Sequence, residues 1–291
     1  MIALRWHLKK AARYALVVSA AVPASLWFGR RPTKKPRVRV LTYHRFRTSR
    51  HDPFSVDIEQ FERQMCWLAE QRLAISLADL DEFLAGRRQI RDGAVLVTID
   101  DGYREIWSSA LPILRRYSIP AVAFVSSADM TTEGPVEDRS SDQDCDARLS
   151  PSELSSLPAG SVEVGSHSWQ HRSLGRMTAE EAGRQIRKSK ADLEALLGRP
   201  VTAFAYPFGT WKDFNPTTTA LLTKAGFRFG FTSQHGAISA NAEPYSLPRI
   251  KVEGGEGLWM FKRLVSGALD SWWLVDRSLW WLQQSGGLTQ P

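Results

Sequence analysis

The stretch that decides the fold runs Ala94-Val95-Leu96-Val97-Thr98-Ile99-Asp100-Asp101-Gly102. Its first six residues form a nearly continuous apolar run, which is typical of a strand buried on both faces of a parallel sheet. Two adjacent carboxylates and a glycine follow where this strand ends. Because consecutive residues at a strand end point to different sides, Asp100 and Asp101 can serve different roles. The segment predicts a buried parallel strand that delivers acidic groups to one edge of a sheet.

Predicted strands and helices alternate on both sides of this segment. Apolar residues at helical spacing predict a helix over 57–71, and capping residues begin others at Ser76, Ser150 and Thr178. Further apolar or β-rich runs predict strands at 37–43, 121–125, 162–164, 201–206, 227–232 and 247–252, with a polar loop insertion at 126–149. This alternation predicts an α/β fold, a closed or nearly closed (β/α) barrel of about seven parallel strands, with its chemistry at their C-terminal ends.

Composition narrows the class of protein. The chain has 291 residues, 43% hydrophobic and 24% charged, which excludes a disordered chain, a collagen-like repeat and a disulfide-rich mini-protein. Two cysteines, Cys66 and Cys145, lack metal-ligand spacing. Of 38 basic residues, ten lie in residues 1–39, which contain no Asp or Glu, so the remainder carries 28 basic and 31 acidic residues. This distribution argues against a nucleic-acid partner and favours an anionic membrane surface.

The basic arm also contains an apolar stretch from Tyr14 to Phe28, which is short for a membrane-spanning helix. Three alternatives are open: a helix lying on the membrane interface, a signal peptide, and a short signal anchor. Each of them predicts a protein that is membrane-associated or in the cell envelope, on a side of the membrane that the sequence does not specify.

A second cluster of polar residues follows the short predicted strand at 162–164. In Gly165-Ser166-His167-Ser168-Trp169-Gln170-His171 the two histidines are four apart, which would place them on one face of a helical turn. One carboxylate and two imidazoles make a three-ligand site with an open position, the pattern of a catalytic metal centre. The neighbouring carboxylate would then activate water. The alternative is a solvated Asp-Gly turn and a pair of exposed or capping histidines.

Together these motifs resemble the polysaccharide deacetylases, the NodB-homology or carbohydrate esterase 4 family, over residues 38 to about 252. Thr98–Gly102 is similar to the family's Thr-Phe-Asp-Asp-Gly motif, and His167–His171 matches its His-(Ser/Thr)-x-x-His motif. The segments 43–46, 204–209 and 247–250 resemble the branch that deacetylates poly-N-acetylglucosamine. The resemblance implies a distorted (β/α) barrel. The predicted domains are a membrane-associating arm and linker at 1–36, the deacetylase domain at 37–255, and a Trp-rich helical tail at 256–291.

The resemblance also implies roles for individual residues. Asp100 would be the general base, Asp101, His167 and His171 would bind a divalent metal, and the backbone amide of Phe208 would stabilise the oxyanion. Zinc is the first expectation for the metal, with cobalt, nickel or manganese as alternatives. The expected reaction is metal-dependent removal of N-acetyl groups from the amino sugars of a glycan, releasing acetate. The alternatives are an O-acetyl esterase, a deacylase of a lipid-linked sugar, and a catalytically silent glycan-binding module.

Two positions depart from the family pattern. The better-known members carry an arginine before the proline motif that braces the base, where this chain has Phe204-Ala205-Tyr206. They also carry a late Leu-x-His whose histidine protonates the leaving amine, where this chain has Leu247-Pro248-Arg249. We expect Arg249 to orient Asp100. The general acid is then unassigned.

Three further residues are predicted to contact the substrate, namely His44, Tyr206 and His235, and the two histidines are also candidates for the acid.

The C-terminal tail has four tryptophans within residues 272–281, at helical spacing with Leu269, Asp276 and Leu279. One interpretation is a helix that packs on the outside of the barrel. The other is a helix at a membrane interface, where tryptophan is enriched.

Overall fold

The protein folds around one sheet of seven parallel strands, in the order β6-β5-β4-β3-β2-β1-β7. This computed structural model describes residues 2–20, 36–47, 52–130 and 147–278. The strands are β1 Val38–Tyr43, β2 Ala94–Ile99, β3 Ala121–Val125, β4 Val162–Ser166, β5 Ala203–Ala205, β6 Phe229–Phe231 and β7 Ile250–Lys251. The prediction of a parallel α/β barrel is therefore confirmed.

The two edges of the sheet are brought together by one short segment. Leu247 pairs with Phe231 at the end of β6, and Ile250 pairs with Leu41 of β1. Residues 247–251 thus reach from one edge strand to the other, and the sheet curls into an incomplete barrel. Arg249 lies in the middle of this closing segment.

The helices surround the sheet and carry the expected caps. They are α1 Ile2–Ala20, α2 Ile58–Gln71, α3 Leu77–Leu84, α4 Leu111–Arg116, α5 Pro151–Ser155, α6 Ala179–Leu197, α7 Pro216–Lys224, α8 Leu258–Val265 and α9 Trp273–Ser278. A π-helical turn, Ile106–Ala110, leads into α4, and three short 3₁₀ turns cover Ser127–Asp129, Leu174–Arg176 and Asp270–Trp272. Ser76 and Ser150 form capping boxes, and the Thr178 hydroxyl accepts from the Glu181 N–H. These three helix starts were predicted, whereas α7 was not.

The alternation of side chains along β2 explains how the fold positions its chemistry. Val95, Val97 and Ile99 pack under the surrounding helices, while Leu96 faces the barrel interior with Phe124 and Phe231. Thr98 and Asp100 continue on the interior side by the two-residue period of a strand. The Asp100 carboxylate therefore projects into the mouth of the barrel.

The N-terminal helix and the described C-terminal helices pack against the same side of the barrel. Val17 of α1 and Trp272 belong to the main hydrophobic core, together with Phe261 and Leu264 of α8. Within the described parts of the chain, no helix combines the length and apolar character needed to cross a bilayer. Residues 21–35, the greater part of the loop at 126–149, Cys145 and positions 279–291 lie outside the described residues.

Candidate active site

Three side chains that could bind a metal converge at the mouth of the barrel. The ligand atoms of Asp101, His167 and His171 all lie within 4.8 Å of one another. The Asp101 Oδ1 atom is 3.2 Å from His171 Nε2 and 3.5 Å from His167 Nε2. One carboxylate oxygen and two imidazole nitrogens facing one point fit a divalent ion such as zinc.

The loop after β4 brings the two histidines together. His167 directly follows β4, and residues 167–173 form no helix, so the expected helical turn is wrong. Instead, Ser168 at φ 68° and His171 at φ 52° adopt left-handed conformations, and these fold the loop back toward the strand end. The imidazole rings meet edge to face with centroids 4.8 Å apart. The four-residue spacing therefore correctly predicted that the two histidines lie close together. It did not predict the loop conformation that brings them together.

The imidazole of His167 is oriented by a partner behind it. Its Nδ1 lies 2.8 Å from the carbonyl oxygen of Ala205 in β5 and donates to it, which leaves the Nε2 lone pair facing Asp101. Burial lowers the pKa of His167 to about 4, although the neighbouring Asp100 acts in the opposite direction. The side chain is therefore neutral at neutral pH, as a metal ligand must be.

Asp101 occupies a left-handed turn, φ 73°, that Arg148 stabilises by donating to its carbonyl oxygen at 2.6 Å. Burial alone would raise the pKa of Asp101, but the hydrogen bond and charge of His171 hold it well below its usual value. Conversely, burial opposes the charged form of His171, and Asp101 outweighs this and raises the pKa of His171. Sequence analysis did not identify Arg148, which lies near the end of the polar insertion and belongs to no motif.

The carboxylate of Asp100 forms a buried pair with the guanidinium group of Arg249. Both guanidinium Nη atoms lie 2.7 Å from one carboxylate oxygen each. Arg249 is itself held by the carbonyl oxygen of Thr232 at 2.8 Å and the hydroxyl of Thr98 at 3.2 Å. Burial would raise the pKa of Asp100, but Arg249 and then His167 outweigh it, so the pKa lies below the usual value. The side chain is ionised and fixed in orientation.

One exposed aromatic side chain borders the three-residue cluster, and a second lies three residues further along the chain. The Phe208 ring is 50% exposed and lies 5.0 Å, centroid to centroid, from the His171 ring. Trp211 is 47% exposed and is stacked on Phe214, and Arg277 of α9 lies 5.8 Å from its ring centroid. Among the described residues, no acceptor pairs with the Phe208 N–H. Trp211 was not predicted, because nothing in the sequence distinguishes an exposed tryptophan from a buried one.

His44 lies at the end of β1, close enough to both carboxylates for their charges to act on it. Its ring packs edge to face on Phe54 at 4.8 Å, and its buried Nδ1 has no hydrogen-bond partner among the described residues. Burial lowers the pKa of His44 to about 4, with Asp101 and Asp100 opposing. This placement fits a substrate contact, and the resting side chain is neutral at neutral pH.

Two of the predicted substrate contacts have side chains buried elsewhere. Tyr206 is buried in the core, and its hydroxyl donates to the carbonyl oxygen of Tyr245 at 3.0 Å. His235 is buried against α9, where its Nδ1 lies 2.9 Å from Asp276 and its Nε2 lies 3.4 Å from Arg13. Both predictions are therefore corrected, because each side chain is buried and engaged with these partners.

The backbone is strained where these groups meet. Six non-glycine residues in the described ranges have a positive φ, and four of them are Asp101, Ser168, His171 and Phe208. A left-handed conformation costs about 1–2 kcal/mol for an ordinary residue. Such outliers cluster at functional sites because the surrounding structure holds them in place. Gly209, at φ 59°, continues the turn, and a Cβ there would lie 2.5 Å from the Ser233 nitrogen.

Comparison with known proteins assigns a family to this geometry. Residues 87–230 match the family model described as polysaccharide deacetylase. The chain carries a polysaccharide deacetylase domain. The matched range contains Asp100, Asp101, His167, His171 and the Phe208 turn, while Arg249 lies beyond it. This part of the chain is thus similar to polysaccharide deacetylases, which are hydrolases.

Similar proteins extend the match across the barrel. A poly-beta-1,6-N-acetyl-D-glucosamine N-deacetylase of Staphylococcus aureus (strain MRSA252) is 26% identical over 218 residues, which cover 72% of each chain. PplD, a deacetylase of Streptococcus pyogenes, has a TM-score of 0.67 at 20% identity and covers 80% of this chain and 98% of its own. IcaB from Ammonifex degensii has a TM-score of 0.66 at 22% identity, with 80% and 97% covered. These structures share the deacetylase fold.

Proposed function

We propose that this deacetylase removes N-acetyl groups from amino sugars of a polysaccharide in a reaction that depends on a divalent metal. The observation that carries the proposal is that two adjacent carboxylates have different partners, which suits one to bind a metal and the other to act as a base. Asp101 faces two imidazoles within 4.8 Å, whereas Asp100 is held apart by Arg249. The name of the Staphylococcus aureus relative supports an N-acetylglucosamine polymer as the substrate.

Asp101, His167 and His171 would hold the metal, with zinc as the first choice because its catalytic sites combine nitrogen and oxygen ligands with an open position. A bound divalent ion would polarise the acetyl carbonyl and lower the pKa of the attacking water to about 7. The residues fit this group: His167 is neutral, and its Nδ1–H is engaged by Ala205. The exposed side of the cluster, next to Phe208, is where the acetyl group would enter.

Asp100 would take the proton from the attacking water. Its lowered pKa keeps it ionised, and the fork of Arg249 limits the carboxylate to one orientation. A fixed base within the site avoids the reorganisation that a mobile one would need. In this chain the arginine therefore comes from the segment that closes the barrel, and it would take over the role of the arginine absent from residues 204–206.

The Phe208 N–H would donate to the oxyanion that forms as water attacks the carbonyl carbon. It is available for this because no described acceptor pairs with it, and the Phe208 ring lies 5.0 Å, centroid to centroid, from the His171 ring. A preorganised donor of this kind contributes about 3–4 kcal/mol to transition-state stabilisation.

The leaving amine must then receive a proton as the carbon–nitrogen bond breaks. Asp100, which carries the proton taken from water, is one donor. His44 lies on the same side of the barrel mouth and would hold the amine or its acetyl group through a neutral imidazole. We propose that Asp100 returns the proton and that His44 positions the substrate, because His44 is unprotonated at neutral pH.

The test is acetate release from N-acetylglucosamine oligomers, measured before and after metal is removed with a chelator and restored with zinc. We expect activity to vanish with the chelator and to return with the metal. Asp101→Asn should lower the bound metal content, while Asp270→Asn, which removes a carboxylate near Arg39, should not. Chelator-resistant activity would refute metal dependence, and acetate release only from O-acetylated xylan would identify an esterase instead.

A further inference from the structure

The N-terminal helix is held on the barrel by a buried ion cluster. Arg13 is fully buried, and its Nε and Nη2 lie 2.7 Å and 3.1 Å from the two carboxylate oxygens of Glu256. Nη2 also donates to the carbonyl oxygen of Lys251, and Lys9 pairs with Glu253 at 2.5 Å. Burial opposes the charged form of Arg13, but Glu256 and Glu253 outweigh it and raise its pKa. These contacts fix which face of α1 points inward.

The opposite face of α1 is apolar and uncovered. Leu8 is 61% exposed and Val18 is 57% exposed, and both project away from the side that carries Arg13 and Val17. Between them the exposed positions are the alanines at 11, 12 and 15. Between Leu8 and Val18 no charged residue lies on this stripe, because Lys9, Lys10 and Arg13 occupy the flank and inner side of α1.

The C-terminal helices lie beside α1, where the Trp272 ring centroid is 5.9 Å from the guanidinium carbon of Arg13, and they also expose apolar side chains. Trp259 of α8 is 47% exposed and stacks on Tyr14 with ring centroids 6.3 Å apart. Trp273 and Leu274 of α9 are also exposed. We define the α1–α9 face as Leu8, Ala11, Ala12, Ala15, Val18, Trp259, Trp273 and Leu274.

Exposed apolar surface is concentrated there. Of seven exposed large hydrophobic residues in the described ranges, five belong to this face, and the other two are Phe208 and Trp211 beside the active site. An uncovered patch of this kind marks an interaction surface.

Charge indicates what the face meets. Residues 1–39 contain ten basic and no acidic residues, while the rest of the chain is slightly acidic. Four of the ten, Lys9, Arg13, Arg37 and Arg39, pair with Glu253, Glu256 and Asp270 of the barrel, so the excess positive charge belongs to the other six. On α8, Arg263 lies 5.5 Å from the Trp259 ring centroid, so a cation borders the exposed indole. Apolar residues, tryptophans and flanking cations together are typical of a surface that lies in the headgroup region of an anionic bilayer. A second protein chain or a glycan would not require the strong segregation of charge.

We propose that the α1–α9 face docks on an anionic lipid bilayer, with α1 lying in the plane of the interface. The inference is independent of the chemistry at the active site. Its geometric consequence rests on the proposed function: Arg277 of α9 lies 5.8 Å from the ring centroid of Trp211, three residues from Phe208, so docking would bring the Phe208 side of the site toward the membrane. A glycan emerging at the membrane surface would then meet the active site.

Vesicle flotation of the full chain tests the proposal with a matched pair of variants. Ala12→Glu places a carboxylate on the exposed face of α1, and Ala195→Glu makes the same change on the exposed side of α6. Glutamate favours helix as readily as most residues, so both variants should fold. We expect wild type and Ala195→Glu to float with vesicles that contain phosphatidylglycerol, and to float more weakly with vesicles of phosphatidylcholine alone. Ala12→Glu should bind the anionic vesicles with an affinity lower than that of wild type by about ten-fold or more.

Three results would overturn the proposal. They are failure of the wild type to float with anionic vesicles, equal binding by the two variants, and a lipid-free dimer that Ala12→Glu dissociates, which would make the face an interface between copies. Circular dichroism and acetate release from short soluble oligomers should be the same for all three proteins. If these oligomers are not deacetylated while flotation behaves as expected, the proposed function fails and the membrane inference stands.

Discussion

Replacing Arg249 with alanine tests how the base is oriented. The substitution removes two charge-assisted hydrogen bonds of 2.7 Å and leaves the Asp100 carboxylate buried without its partner. Breaking one side of a buried pair destabilises a protein by about 3–5 kcal/mol. A base displaced by about 1 Å lowers the rate about 100-fold, which corresponds to about 2.7 kcal/mol of transition-state stabilisation. We therefore expect Arg249→Ala to lose both stability and kcat/KM.

The pH profile separates orientation from simple support of the fold. Arg249 lowers the pKa of Asp100, so its removal should raise that pKa and move the acid limb of kcat/KM to higher pH. Because the folded pKa lies below that of the unfolded chain, the stability from this pair is full above about pH 4 and fades as the pH falls through the folded value. Arg249→Lys keeps the charge without the fork, so its acid limb should move less while kcat/KM still falls.

Arg39→Ala is the matched control, because Arg39 is also buried and pairs with Asp270 at 2.7 Å, at the start of β1 away from the barrel mouth. It should lower stability and leave the acid limb in place. The measurements are kcat/KM from acetate release across pH and the urea midpoint of each variant. A folded Arg249→Ala enzyme with an unmoved acid limb and wild-type kcat/KM would refute the positioning role.

Three further predictions concern the same site. Trp211→Ala should raise KM for soluble oligomers about five-fold with little change in kcat, because an aromatic contact is worth about 1 kcal/mol. Trp259 is equally exposed, and Trp259→Ala should leave KM unchanged. Gly209→Ala should lower the urea midpoint and kcat together, because its Cβ would meet the Ser233 nitrogen at 2.5 Å and shift the preceding amide; a fully active variant would contradict this. In metal-free protein, His44 is neutral when folded and takes up a proton on unfolding between about pH 6.5 and 4. The free energy of unfolding should therefore fall by up to roughly 3 kcal/mol as the pH is lowered over that range. His44→Gln should reduce that loss in urea titrations, and an unchanged pH dependence would exclude a buried neutral imidazole.

The strands show which features of the fold can be predicted from the sequence. β2 and β3 match their predicted bounds at 94–99 and 121–125, because burial on both faces leaves an uninterrupted apolar run. β5 is shorter than its predicted 201–206, although Val201 and Tyr206 are both buried. Apolar patterning reports burial, and in the curled part of the sheet burial continues beyond the last paired residue.

Contacts between distant segments explain what the sequence could not supply. Arg13 belongs to a basic arm that we interpreted as membrane-associating, yet it pairs with Glu256 in the interior. Arg148 and Trp211 likewise acquire their positions from the way loops fold over the strand ends. Arg249 was identified because it stands where the family motif Leu-x-His has a histidine. A departure of this kind is visible within one short segment of the sequence.

The left-handed residues have a consequence for the directed evolution of this enzyme. Glycine would relieve the conformational penalty at Asp101, His171 and Phe208, since it adopts positive φ without steric conflict. A selection for heat resistance alone would therefore reward glycine at positions where an acid, an imidazole and an aromatic ring are needed. Libraries selected for thermostability would accumulate inactive variants unless enzymatic turnover is measured in every round.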